Sequence, residues 1–103
     1  MIVKGKNVSM ISGDSEALEV SLKGGSFAKG DVVEFRLRRN RESCCNVMLK
    51  TVDEFDDNGK AVIAFEPADT ENIAKGSYVY DIKIRWADGN VKTPIEAAQF
   101  NIT

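Results

Sequence analysis

The sequence predicts an all-β protein, an antiparallel β-sandwich of about seven strands with one short helical turn. Apolar residues recur at every second position along most of the chain, which is the period of a strand with one buried and one solvated side. Turn-forming groups of Gly, Asn and Asp separate these segments at short intervals. The 103 residues are 43% hydrophobic and 29% charged, enough for one domain with its own core. We therefore expect a single domain over residues 1–103.

The first half of the chain predicts strands over residues 7–11, 16–22 and 31–38. In the third segment, Val33, Phe35 and Leu37 alternate with charged residues, so one face is expected to be buried.

The middle of the chain predicts strands over residues 46–55 and 60–65, joined by Asp56-Asp57-Asn58-Gly59. Asn and Gly accept the backbone conformations of a hairpin turn. The same stretch fails as a calcium loop, because Phe65 stands where the twelfth position requires a bidentate Glu. A hairpin turn is therefore predicted here.

A helical turn is predicted over residues 67–74, with Asp69 or Thr70 as its cap. The strand over residues 78–86 follows it and carries both tyrosines and the only tryptophan. Its apolar face is predicted to fill the space between the sheets, whereas Asp81, Lys83 and Arg85 are expected to face water. Tyr78 is expected at a corner, with its hydroxyl bonded to upstream backbone. The predicted core residues are Phe35, Tyr78, Tyr80, Ile82, Ile84, Trp86 and Phe100.

The last segments predict strands over residues 91–93 and 99–103. Pro94 between them indicates an edge or a bulge, because proline has no N–H to donate. Lys92, Pro94 and Glu96 are expected to blunt one sheet edge, but nothing comparable protects residues 7–11. We therefore predict that the edge strand carrying Asn7, Ser9 and Ile11 pairs with a partner or a second copy.

A basic cluster follows the third strand and contains Arg36, Arg38, Arg39 and Arg41. It is interpreted as a solvated strand face running into a loop or, alternatively, as a docking surface for a protein partner. The net charge of −2 argues against nucleic acid or an anionic membrane as the main partner.

Several functional classes are disfavoured by composition. The chain has no histidine, the commonest general base and metal ligand at neutral pH, so we expect no enzyme, no cofactor and no metal site. Cys44 and Cys45 are adjacent, which makes a disulfide between them strained and predicts thiols in a reducing compartment. No apolar run is long enough to span a membrane and no signal peptide is recognised, so synthesis in the cytoplasm is expected.

The order of features resembles the N-terminal domain of phage baseplate upper proteins and related small phage tail proteins. The most specific part is Asp69-Thr70, followed by Gly76, the Tyr78–Ile82 run and the Asp88-Gly89 turn. Other matching stretches are residues 13–15, 33–37, 63–70, 88–93 and 100–102. The resemblance covers about residues 11–103; the Cys44-Cys45 pair is no part of the pattern.

The resemblance implies an immunoglobulin-like β-sandwich without catalytic residues, acting as a virion structural protein of a phage or prophage. It would assemble with itself, as a homo-oligomer, or with other tail or baseplate proteins, after synthesis in the host cytoplasm. The alternative is an immunoglobulin-like binding module that recognises a carbohydrate or protein ligand through its loops. That module would need exposed loop aromatics, and only Phe27 and Phe55 are available.

Overall fold

A computed structural model describes residues 1–22, 25–43 and 45–103 of the chain. Within these ranges there are eight strands and one short helix. In chain order they are β1 (Ile2–Lys4), β2 (Asn7–Met10), β3 (Glu16–Val20), β4 (Val32–Arg38), β5 (Asn46–Val52), β6 (Ala61–Phe65), α1 (Pro67–Glu71), β7 (Gly76–Arg85) and β8 (Val91–Ile102). The all-β prediction is confirmed.

The strands form two sheets. A six-stranded sheet has the order β1-β2-β8-β7-β4-β5, and a two-stranded sheet pairs β3 with β6. All described pairs are antiparallel except β2 with β8, which run parallel with Val8 opposite Phe100 and Met10 opposite Ile102. The expectation of a wholly antiparallel arrangement is therefore wrong at this pair. β1 was not predicted, and the two last predicted strands are one continuous strand, β8.

The turn between β5 and β6 has the predicted form, but the two strands do not pair. Asp56 Oδ1 accepts the N–H groups of Asn58 and Lys60, each at 2.9 Å, and Gly59 has a φ of +72°. A Cβ on Gly59 would lie 2.2 Å from the Ser26 side chain, so this position needs glycine for space as well as for conformation. The chain uses the turn to cross from the large sheet to the small one, because β5 pairs with β4 whereas β6 pairs with β3.

The core lies between the inner faces of the two sheets. Phe35 is at its centre, with ring centroids 5.2 Å from Phe65, 5.5 Å from Tyr80 and 5.7 Å from Phe100. Burying each such ring stabilises the fold by about 1.5–3 kcal/mol. The predicted core residues that the structure buries are Phe35, Tyr78, Tyr80, Ile82, Ile84 and Phe100.

Trp86 is a correction to the predicted core. It lies one residue beyond β7 and is only partly buried, so it packs against the border of the core instead of filling the space between the sheets.

The two tyrosine hydroxyls fix backbone at two places. Tyr78 donates to the carbonyl of Ala74, four residues upstream, which is the corner bond that the sequence predicts. Tyr80 donates to the carbonyl of Lys6 in the turn between β1 and β2. Burial raises the pKa of the Tyr80 hydroxyl above its ordinary value, because the ionised form would lose hydration.

The helix α1 is shorter than predicted and its cap differs. Glu66 is the N-cap, and its N–H donates to Asp69 Oδ2 at 2.7 Å. Thr70 is fully buried and caps nothing; its hydroxyl accepts the Gly13 N–H at 2.8 Å and ties α1 to the loop after β2. Burial alone would raise the pKa of Asp69, but the Lys50 ammonium at 2.7 Å and the Glu66 N–H outweigh it and lower that pKa.

In the described part of the chain, no helix combines the length and the hydropathy that crossing a bilayer requires.

Candidate protein-interaction surface

The outer face of the six-stranded sheet is a broad surface on which no other described strand or helix packs. Strand register sets its side chains in rows across β2, β8, β7, β4 and β5. The row at one end consists of uncharged polar residues, and each of the other three rows contains at least one charged residue. The rows are Ser9–Asn101–Ser77, then Gln99–Val79–Arg38, then Asp81–Arg36–Leu49, then Lys83–Glu34–Thr51.

Two groups of predicted interface residues meet on this face, although they are far apart in sequence. Asn7 and Ser9 come from β2, whereas Arg36 and Arg38 come from β4, three positions further across the sheet. Ile11, Arg39 and Arg41 lie outside it, in the loops that follow these strands. The predicted edge and the predicted basic surface are therefore in part a single surface.

The predicted free edge over residues 7–11 is wrong. β2 lies between β1 and β8, with Ser9 opposite Ile2 on one side and Asn101 on the other. β1 forms the border of the sheet instead, because the turn at Gly5 folds the first residues back on β2. A proline at Ser9 would therefore disturb the sheet itself.

Arg38 is not available as a docking cation, because it is bound within the molecule. Its Nε donates to Asp81 Oδ2 at 2.8 Å and its Nη2 donates to Asp81 Oδ1 at 2.9 Å. The two side chains are only 14% and 9% exposed. The expectation that Asp81 faces water is also wrong: the outward side of β7 is covered here by Arg38. Paired charges in such a bidentate geometry hold each other firmly.

Asp81 also sets the course of β8. Its Oδ1 accepts the N–H of Ala97 at 2.8 Å, and Ala97 has a φ of +51°, a left-handed conformation that is uncommon for alanine. The register of β8 shifts here, since Tyr80 pairs with Ala98 but Ile82 pairs with Ile95. A buried carboxylate thus fixes a bulge, which sequence periodicity alone could not show.

A second bulge contains Pro94, as the sequence predicts, because Ile82 pairs with Ile95 but Ile84 pairs with Lys92. β2 pairs only with residues 100–102 of β8, so over residues 91–98 the only paired neighbour of β8 in the described chain is β7. Lys92, Pro94 and Glu96 lie in this one-sided stretch, where the sequence predicts that they blunt an edge.

The other arginines of the cluster are more exposed. Arg36 lies 3.8 Å from Glu34, and its contact to Asn46 is long at 3.5 Å. Arg39 and Arg41 are exposed. A shallow cleft of about 340 Å³ runs along this part of the face and is lined by Arg36, Arg38, Asp81, Lys83, Thr93 and Glu96. The cleft is therefore lined by positively charged hydrogen-bond donors and by negatively charged acceptors.

The loops next to β4 and β5 form a larger cleft of about 860 Å³, between residues 27–32 and 53–56. Phe27 and Phe55 stack on each other there with centroids 5.0 Å apart, and Phe27 is only 4% exposed. Asp31 is also buried and accepts the N–H groups of Ala28 and Ala87. These side chains are therefore used to hold the loops.

Trp86 marks a site that sequence reasoning missed. It borders an apolar groove of about 400 Å³, lined by Leu22, Ile84, Trp86, Lys92, Thr93 and Pro94. The only signal for this site in the sequence was the position of Trp86 at the end of a predicted strand. The apolar side chain of Trp86 favoured a core position instead.

Within the described residues, no group of three or more His, Cys, Asp or Glu side chains is placed to hold a metal ion. Cys45 is exposed, and the prediction for Cys44 falls outside the described residues.

The residues that carry the resemblance to baseplate proteins hold the fold in this structure. Tyr78 anchors its corner, Thr70 ties α1 to the loop after β2, and Asp81 fixes the bulge of β8. Comparison of the chain with protein-family models, curated proteins and solved structures finds no match. The phage likeness therefore stays a prediction.

Proposed function

We propose that this chain is a non-enzymatic structural protein of a phage or prophage virion, in the tail or baseplate, and acts through protein–protein assembly. The observation that carries the proposal is the uncovered outer face of the six-stranded sheet. The resemblance described above supplies the phage setting. On this proposal the protein is made in the host cytoplasm and then built into the virion.

The chemistry of the outer face supports a protein partner. Its side chains stand on five adjacent hydrogen-bonded strands, so they are positioned before any partner arrives. The face combines uncharged polar groups such as Ser77 and Asn101 with charged groups such as Arg36 and Lys83. Interfaces between proteins that also exist alone have this mixed, polar character, and arginine is enriched in them.

An immunoglobulin-like sandwich is part of the proposal. Two features support it, namely the packing of two sheets around one aromatic core and the Tyr78 hydroxyl bond to Ala74 at the start of a late strand. The parallel pairing of β2 with β8 is a variation within this architecture.

The experiment is size-exclusion chromatography with light scattering across protein concentration, under reducing conditions. We expect the wild-type chain to form a discrete oligomer. Ser77→Arg, on the outer face, should lower the mass of that species because a long cation replaces a small exposed residue of that face. Ala64→Arg, exposed on the outer side of the small sheet, is the matched control and should leave the mass unchanged.

Circular dichroism should show the same fold in both variants. A wild-type chain that remains monomeric up to millimolar concentration would overturn self-assembly. A mass that is unchanged in Ser77→Arg would overturn the assignment to the outer face.

A loop-binding module is the second candidate, and the cleft of about 860 Å³ between the loops favours it. The stacking of Phe27 on Phe55 counts against it, because a carbohydrate platform needs an exposed ring. Titration with soluble glycans, followed by backbone amide shifts of residues 27–32, tests it; shifts confined to this cleft would support the module.

A further inference from the structure

The two ends of the molecule carry different features, and the register of β7 defines them. Gly76, at the start of β7, pairs with Ile102, and Arg85, at its end, pairs with Val91. Ile11 follows Met10, which is opposite Ile102, so it lies just beyond the first of these ends. Trp86 lies just beyond the other. A strand of this length separates them by roughly 30 Å, which compares with a longest molecular dimension of 37 Å.

The Ile11 end, named for that residue, presents an apolar projection on a fixed support. Ile11 is 59% exposed, the highest value among the exposed large hydrophobic residues of the described chain. Its carbonyl accepts the Asp14 N–H at 3.2 Å, and the neighbouring Ser12 N–H donates to the Thr103 carbonyl at 2.9 Å. The backbone around the projection is therefore held at both sides.

The Trp86 end presents an apolar recess. The groove of about 400 Å³ between Leu22, Trp86 and Pro94 is open at the border of the sandwich, next to the one-sided stretch of β8. Its rim is fixed because the Trp86 N–H donates to the Asn90 carbonyl at 2.8 Å across the turn. A partly buried tryptophan beside a preformed pocket is typical of residues that dominate binding energy at interfaces.

Charged loops accompany both apolar features. Arg39 and Arg41 are exposed in the loop after β4, at the Ile11 end. Asp53, Glu54 and Asp57 are exposed in the loop after β5, at the Trp86 end. None of these five side chains belongs to an ion pair within the described residues. Unlike ends therefore attract each other locally, whereas two acidic loops would repel.

The features appear in the same order across the sheet at both ends. At the Ile11 end the apolar residue follows β2 and the arginines follow β4, three positions away in the sheet. At the Trp86 end the groove lies at β8 and the acidic loop follows β5, again three positions away. Three strand spacings are about 14 Å in each case. If a second copy stacks end to end in the same orientation, Ile11 of one copy can therefore meet the Trp86 groove of the other while the arginine loop meets the acidic loop.

We propose that a second copy of this chain docks end to end, with Ile11 of one copy in the Trp86 groove of the next. The arginine loop of the first copy then lies against the acidic loop of the second. Because the contact joins two different surfaces, it repeats from copy to copy and builds a ring or a filament. The inference rests on the proposed function only in that both require self-association, and it uses a different surface.

Two complementary variants test the contact, both made in the chain that also carries Ser77→Arg so that the outer face cannot hold copies together. Ile11→Asp removes the projection and keeps the groove. Pro94→Arg fills the groove from an exposed position that does not line the outer-face cleft, and it keeps the projection. Each alone should associate at least about tenfold more weakly than the Ser77→Arg parent, and an equimolar mixture should form one-to-one dimers. Val62→Asp, at an exposed aliphatic residue on the outer side of the small sheet, is the matched control and should associate as the parent does.

Light scattering gives the masses, and circular dichroism checks that each variant is folded. Dimers in the mixture support the end-to-end contact, because only a contact between unlike ends lets two defective copies complement each other. A parent that is monomeric, a mixture that stays monomeric, or end variants that associate as the parent does would each overturn it. If end variants dissociate while Ser77→Arg has no effect in an otherwise wild-type chain, the end contact stands and the outer-face proposal fails. If Ser77→Arg dissociates the oligomer and end variants do not, the reverse holds.

Discussion

The two halves of β8 differ sharply although they belong to one strand and share one neighbour. Residues 99–102 lie within the sheet, with β7 on one side and β2 on the other from residue 100, and they bury Phe100 and Ile102. Among the described strands, residues 91–98 have only β7 beside them; they are mostly exposed and contain both bulges. The same backbone is therefore regular where it is enclosed and irregular where it is open.

This difference shows two ways of fixing strand register. In the enclosed half, alternation of buried and outward side chains is sufficient, because a slip of one residue would turn Phe100 and Ile102 to the outer face. In the open half, few apolar side chains resist a slip. There the position of β8 is held by a polar contact, the Ala97 N–H on the Asp81 carboxylate, which Arg38 holds in turn.

The largest contrast between the halves should appear when each loses an apolar side chain. Phe100→Ala should lower the free energy of unfolding by about 3–5 kcal/mol, because it empties the middle of the aromatic core. Val91→Ala, in the open half, should change it by less than about 0.5 kcal/mol. Urea unfolding followed by tryptophan fluorescence measures both, and equal losses would contradict the division.

Removal of the polar contact tests the second way of fixing register. Asp81→Ala should cost about 2–4 kcal/mol, because it leaves the Arg38 guanidinium mostly buried without its carboxylate and releases the bulge. Glu34→Ala breaks a more exposed pair at 3.8 Å on the same face and should cost under about 1 kcal/mol. Amide hydrogen exchange should rise at residues 91–98 in the first variant only. Exchange that rises equally at residues 99–102 would argue against a local role.

Glycine should have opposite effects at two adjacent alanines. Ala97 has a φ of +51°, which glycine adopts without the steric cost, so Ala97→Gly should raise the free energy of unfolding by up to about 1 kcal/mol. Ala98→Gly, at the next residue, where no positive φ occurs, should lower it by about 0.5–1 kcal/mol. Thermal unfolding compares the two, and a loss in both variants would refute the strained bulge.

The smallest effect concerns pH at the junction of the halves, where Tyr80 is opposite Ala98. Burial raises the pKa of the Tyr80 hydroxyl above its value in the unfolded chain, near 10. The stability that the neutral Tyr80 hydroxyl provides is therefore complete below pH 10, and it is lost as the pH rises through the folded-state pKa. Tyr80→Phe lacks this loss, so the stability difference between wild type and variant should shrink from pH 9 to 11. A constant difference in urea unfolding would exclude the effect.

The strands that could be predicted are those with a clear apolar alternation and a turn beside them. β4 and β7 begin and end within two residues of the predicted bounds, and the Tyr78 corner bond was anticipated. Such features depend on neighbouring residues, which the sequence displays directly. The burial of Phe35 and Phe100 follows from the same alternation.

What could not be predicted depends on which strands become neighbours. Nothing local shows that β1 covers β2, so Ser9 was wrongly assigned to a free edge. The pairing of Arg38 with Asp81 depends on the register of β4 against β7, which brings together residues 43 positions apart. Trp86 has the alternation of a core residue but lies one position past the strand end. Errors about the candidate surface thus come from sheet order rather than from periodicity.

The parallel pairing of β2 with β8 has a consequence for how the protein is made. β2 pairs with residues 100–102 of β8, and the Thr103 hydroxyl donates to the Met10 carbonyl across 93 positions. β2 therefore cannot join the large sheet until residues 100–103 have been synthesised. At about 5–20 residues per second, the β1–β2 hairpin waits roughly 5–20 seconds after its own synthesis. During translation the strands between β2 and β8 in the sequence can associate first, and the β1–β2 hairpin then completes the sheet beside β8.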